Sequence, residues 1–96
     1  MSRAFVKDDA EEYRAPRRFA LPDQDDPQYD AAAALALIEA ARDGATSDAE
    51  EATGYRWGDR GLRPHVQRLL AAEEARPDDE RDRRLIQVAR RFLRDD

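Results

Sequence analysis

The chain has 96 residues, no cysteine, a single histidine and a net charge of −5, with 41% of its residues charged. That length suits one domain. The composition excludes disulfides, a thiolate nucleophile, a Cys-based zinc site and, within a single chain, a multi-histidine metal site. No apolar run approaches the roughly 20 residues needed to cross a bilayer. The opening residues lack the apolar core of a signal peptide. The expectation is a soluble, cytoplasmic protein without membrane contacts.

The charge is unevenly spread. Residues 28–54 carry one basic and six acidic groups, whereas residues 55–77 carry five basic and three acidic. Acidity therefore precedes the Gly54-Tyr55-Arg56-Trp57-Gly58-Asp59 stretch and positive charge follows it. This layout permits pairing between the two halves or between two copies of the molecule. A net acidic chain gains little from counterion release, so generic nucleic-acid binding is disfavoured.

Residues 1–27 read as a flexible charged tail. They hold Pro16, Pro22 and Pro27, and their few large apolar groups cannot offset backbone ordering at about 1–2 kcal/mol per residue. The basic-aromatic segment Arg17-Arg18-Phe19-Ala20-Leu21-Pro22 could still dock, which makes Phe19 a candidate partner contact.

Residues 28–96 read as a helical domain. In helix one, Asp26 is the expected cap and Pro27 the first helical position. Ala31 to Ala34 favour the helix. Leu35, Ile38 and Ala41 or Arg42 give its apolar face, with Ala34 and Leu37 beside them. Gly44 ends it as a left-handed cap. Helix two is short, with Ser47-Asp48-Ala49-Glu50 matching a capping box and Gly54 ending it. Helix three is expected from about Leu62 to Ala75, with Pro64 in its first turn and Leu62, Val66, Leu69 and Leu70 facing inward. Helix four is expected from about Glu80 to Arg94, capped by Asp78 or Asp79. Leu85, Val88, Ala89 and Phe92 form its apolar stripe, widened by Ile86 and Leu93.

No segment alternates with a period of two. The fold class is therefore all-α: a small bundle or layered array of four helices, one of them short. Its core is thin, and a domain of this size lies near break-even between burial and chain entropy. That gives weight to Trp57, read here as the plug of the core. It also favours self-association or a protein partner.

Tyr55 and Arg56, next to Trp57, are candidate partner-binding residues, because Trp, Tyr and Arg dominate interface hot spots. Arg83, Gln87, Arg90 and Arg94 fall on one face of helix four, with Arg84 and Arg91 nearby. Arg83, Arg90 and Arg94 could grip phosphate or an acidic partner. The simpler reading pairs them with Asp79, Glu80 and Asp82 in the same helix. Asp43, Asp48, Glu50 and Glu51 lack the glycine-anchored spacing of a calcium loop. His65 would be the only base of a nucleophile triad, and no nucleophile elbow is present. The sequence thus predicts no catalytic residue, no cofactor and no metal.

The opening Met1-Ser2-Arg3-Ala4-Phe5-Val6-Lys7-Asp8-Asp9 resembles the N-terminal tail of some bacterial Gre-family transcript-cleavage factors of the GreB type. The resemblance covers nine of the 96 residues. That family has a long coiled-coil hairpin with an acidic tip and a β-rich domain that docks on RNA polymerase. The hairpin length and the β domain are missing here, and the acidic stretch from Asp43 to Glu50 does not match the tip's spacing. The resemblance implies no catalytic residue. It does imply RNA polymerase as a candidate partner. The principal expectation is a non-enzymatic helical interaction module. The alternative is an accessory transcription factor that contacts RNA polymerase or nucleic acid through the tail and the arginine face.

Overall fold

The structure, a computed structural model, describes residues 19–95. Among the described residues four helices follow one another: α1 (Tyr29–Arg42), α2 (Thr46–Thr53), α3 (Arg63–Glu74) and α4 (Arg83–Arg94). Single 3-10 turns, Arg60–Leu62 and Asp78–Glu80, precede α3 and α4. Among the described residues there is no strand, and no helix is long and apolar enough to cross a membrane. The resemblance at residues 1–9 lies outside the described residues, as does most of the expected tail. Phe19 is half-buried and packs against the helical core.

α1 is the central element and packs against all three other helices. Its alanines make this possible. Ala33, Ala34, Ala36 and Ala40 are buried, and the absence of bulk lets neighbours approach on several sides. Leu35 does not belong to the buried face, contrary to expectation. It is 37% exposed, because Ala34, Ala36, Leu37 and Ile38 already point at the three neighbours. The helix also starts later than Pro27. The Asp26 carboxylate accepts the Gln28 N–H at 2.7 Å, and its main-chain carbonyl accepts from Tyr29 at 2.9 Å. This closes a turn that contains Pro27 ahead of the helix.

Gly44 ends α1 with φ +80°. Ala45 N–H reaches back to the Ala40 carbonyl at 2.7 Å, and Gly44 N–H to Ala41 at 3.2 Å. Both bonds of a Schellman motif are therefore present. This motif overturns the capping box expected at Ser47. It delivers Ala45 directly to the start of α2, where the Ala45 carbonyl accepts from Asp48 and Ala49. Ser47 already lies within the helix, and no side chain caps it. Glu50 is used elsewhere, as described below.

α3 follows the expected pattern. Asp59 Oδ1 accepts the Gly61 N–H at 2.7 Å, Pro64 sits in the first turn, and Leu62 and Val66 are fully buried. α4 starts three residues after Glu80, and its cap is Asp82, not Asp78 or Asp79. The Asp78–Glu80 turn ends at Arg81, whose extended backbone breaks the helical phase. Asp82 Oδ1 then accepts the Leu85 N–H at 3.0 Å. Leu85, Ile86, Val88, Ala89 and Phe92 face inward as expected.

The plug of the core is Phe92, not Trp57. Phe92 has no exposed surface, whereas Trp57 is half-buried and packs on the core from outside. Their rings meet edge to face, 4.9 Å between centroids and 70° between planes.

Candidate functional site

Trp57 is held in place by its main chain. Gly54 at φ +80° stops α2, and Gly58 at φ +84° turns the chain again. Between them the Trp57 N–H donates to Glu50 Oε2 at 2.8 Å. The indole is thereby fixed at the edge of the core, and one side of it remains available.

That side forms the wall of an open groove of about 680 Å³. Ala41 from α1 and Thr46 from α2 contribute to it, together with Arg84, Gln87, Val88, Arg90, Arg91 and Arg94 of α4. Arg84, Gln87, Val88 and Arg91 recur at helical spacing, so one face of α4 presents them together. The apolar stripe of α4 points into the core, and this flank is left to meet the indole.

The structure divides the arginines differently from the sequence reading. Arg83 pairs with Asp78 at 3.3 Å, and Arg90 pairs with Glu74 of α3. Neither uses Asp79, Glu80 or Asp82. Arg94 lines the groove and, with Arg84, has no side-chain partner among the described residues. Arg91 Nε lies 3.5 Å from Asp95 Oδ2. The same Asp95 oxygen accepts the Trp57 indole N–H at 3.1 Å. Arg84, Arg91 and Arg94 thus form a cationic row beside an aromatic wall.

No family model matches the chain, and no match was found among curated proteins or solved structures.

The other expected contacts are dispersed. Arg56 is exposed. Tyr55 is half-buried and donates its hydroxyl to Asp30 Oδ1 at 2.5 Å. That hydrogen bond, with burial adding to it, pushes the Tyr55 phenol up to about 12. Tyr55 therefore ties the loop to α1 and stands apart from the groove, and Phe19 belongs to the core margin. Of the six expected partner residues, Arg90 and Arg94 line the groove.

Ala41 and Thr46 join the site without having been singled out as contacts, and Arg84 and Arg91, noted only as neighbours of the arginine face, line it directly. The signal for the two arginines lay in the phase of α4: with residues 85, 88, 89 and 92 inward, 84 and 91 must flank the stripe. Which flank meets Trp57 depends on how the loop packs, and periodicity does not carry that.

The acidic residues do not gather into a second site. Asp43 pairs with Arg42 at 3.1 Å, and Glu50 holds the Trp57 N–H. Among the described residues no three His, Asp or Glu side chains converge as metal ligands would. His65 Nδ1 accepts from Arg68 Nη2 at 2.6 Å, at the exposed side of α3. A smaller depression of about 280 Å³ adjoins the groove along α4 and shares Gln87 and Arg90 with it. Its Arg81, Arg83 and Arg90 face Asp78 and Glu74, so its charges compensate one another.

Proposed function

We propose that the chain is a non-enzymatic helical module that binds a protein partner through the groove between Trp57 and α4. One observation carries this reading: a groove walled by the sole Trp is lined by two guanidiniums that have no acid partner among the described residues and by a third paired there with an exposed acid. Aromatic and arginine side chains together dominate the energetics of protein interfaces. The thin core supports the reading, since covering the groove would bury apolar surface that the domain leaves open.

A photo-crosslinking side chain placed at Gln87, exposed in the groove, tests it. The same group at Arg68, exposed on α3, is the control. Adducts specific to Gln87 are expected, either with another protein or with a second copy. A strict monomer without groove-specific adducts sinks the reading.

The second reading is an accessory transcription factor that touches RNA polymerase or nucleic acid. The arginine row is what favours it. It predicts a mobility shift with nucleic acid that fades steeply as salt rises. No shift at low salt removes that version, and adducts with polymerase from Gln87 support the other.

A further inference from the structure

The groove's chemistry also narrows the class of partner, on the reading that it is a protein-binding site. The chain already seats a carboxylate there. Asp95 Oδ2 receives the indole N–H of Trp57 at 3.1 Å and lies 3.5 Å from Arg91 Nε. A neutral donor and a cation thus converge on one oxygen. The Arg91 and Asp95 side chains are 68% and 41% exposed, so water competes for both and the contact is weak. Arg84 and Arg94 carry further positive charge along the groove, and Val88, between them in sequence, lines it together with Trp57.

We propose that the groove binds an acidic segment of a partner protein, and that Asp95 is a built-in competitor for it. One carboxylate of the segment takes the seat beside Trp57 and Arg91. Others meet Arg84 and Arg94, and an apolar side chain lies against the indole and Val88. Arg84 and Arg94 are ten positions apart, about 15 Å along the helix. An extended segment covers that distance in about five residues. The charge arrangement favours such a segment over nucleic acid. The row is short and its host is net acidic, and among the described residues the groove lining holds one aromatic side chain, Trp57, where single-strand binding stacks several bases.

The full chain reports binding through Trp57, its only Trp. The probes are a short synthetic peptide alternating Glu and Leu, its Gln–Leu counterpart, inorganic phosphate and a single-stranded oligonucleotide. The Glu–Leu peptide is expected to change Trp57 emission saturably and to weaken with salt. The double variant Arg84→Glu, Arg94→Glu should weaken it at least about tenfold. Asp95→Asn should bind it about threefold more tightly, the gain expected on losing one exposed competing pair. All three positions are exposed, and an unchanged helical circular dichroism spectrum verifies that each variant folds.

The proposal is overturned if the Gln–Leu peptide binds as well as the Glu–Leu one, or if the oligonucleotide or phosphate is the ligand that saturates. Asp95→Asn binding no more tightly overturns the competitor role. Groove-specific protein adducts from Gln87 combined with no acidic-peptide binding remove this inference and leave the module reading standing. Loss of both removes both.

Discussion

Arg42 Nη1 donates to Asp82 Oδ2 at 2.8 Å, joining the last turn of α1 to the cap of α4 across 40 residues of chain. The same aspartate accepts the Leu85 N–H through Oδ1, and its own N–H donates to Glu73 Oε2 at 2.8 Å. One residue therefore ties three helices together. Its carboxyl is held below the usual carboxylate range, first by the Leu85 N–H and then by Arg42, with desolvation opposing.

A pH dependence follows. A carboxyl with a lowered folded pKa contributes stability above its unfolded value of about 3.9 and loses it as pH falls through the folded one. Asp82→Ala should lower the unfolding free energy by about 1–2 kcal/mol near neutral pH, through loss of the cap and of a partly exposed pair. In urea titrations that deficit should shrink below about pH 4. Asp82→Asn, which can still cap, should lose less than about 1 kcal/mol. A deficit that stays constant into acid would show that the ionised carboxylate is not the stabilising form.

The edge-to-face contact of Trp57 and Phe92 gives a second prediction, because the two rings differ in burial. Phe92→Ala opens a cavity in the centre of the core and should cost about 3–5 kcal/mol, comparable to the whole stability of a small domain. Trp57→Ala removes a half-buried ring and should cost roughly 1–2 kcal/mol. Helical circular dichroism against urea separates them, since it does not need the indole. The opposite order would restore Trp57 as the plug.

The helices were legible in the sequence because their signals are local. Gly44 and Gly54 stop helices where glycine's freedom at positive φ is needed. The stripe Leu85, Val88, Ala89 and Phe92 fixed the inward face of α4. What escaped were choices between competing local devices. Ser47 and Glu50 had the spacing of a capping box, but the Schellman motif at Gly44 claimed the junction first. Asp78, Asp79 and Asp82 could each cap α4, and the extended backbone at Arg81 selected Asp82. Leu35 looked like core because it stands three residues before Ile38, but the buried side of α1 is centred on Ala33, Ala34, Leu37 and Ala40, which leaves Leu35 on the outer side. The groove was only half legible: its arginines are written in α4, but the Trp57 wall depends on tertiary packing, as does the seat at Asp95.

The Schellman motif can be tested in isolation. Gly44 has φ +80°, and a Cβ built there meets no atom within 4 Å. Any cost of Gly44→Ala is therefore backbone strain, expected at about 1 kcal/mol. Gly44→Asn should recover part of it, because Asn tolerates the left-handed region better than Ala. If Ala is neutral in thermal or urea unfolding, the turn between α1 and α2 is not built on a left-handed residue.

Tyr55 offers the last test, at the other end of the pH scale. Its hydroxyl donates to Asp30, and that bond raises the phenol to about 12. A raised pKa means that folding favours the neutral phenol. The stabilisation is complete below the unfolded tyrosine value of about 10 and is lost as pH rises through about 12. Tyr55→Phe should cost about 0.5–1.5 kcal/mol near neutral pH, the usual worth of one hydrogen bond. In a spectrophotometric titration, the wild-type curve minus that of Tyr55→Phe isolates this phenol from Tyr13 and Tyr29. The difference should develop well above the ordinary tyrosine range. Asp30→Asn should bring it back toward about 10, because the carboxylate that opposes ionisation is gone. If Tyr55 ionises near 10 in the wild-type protein, the hydroxyl is not held by Asp30, and the loop that positions Trp57 is anchored to α1 by other contacts.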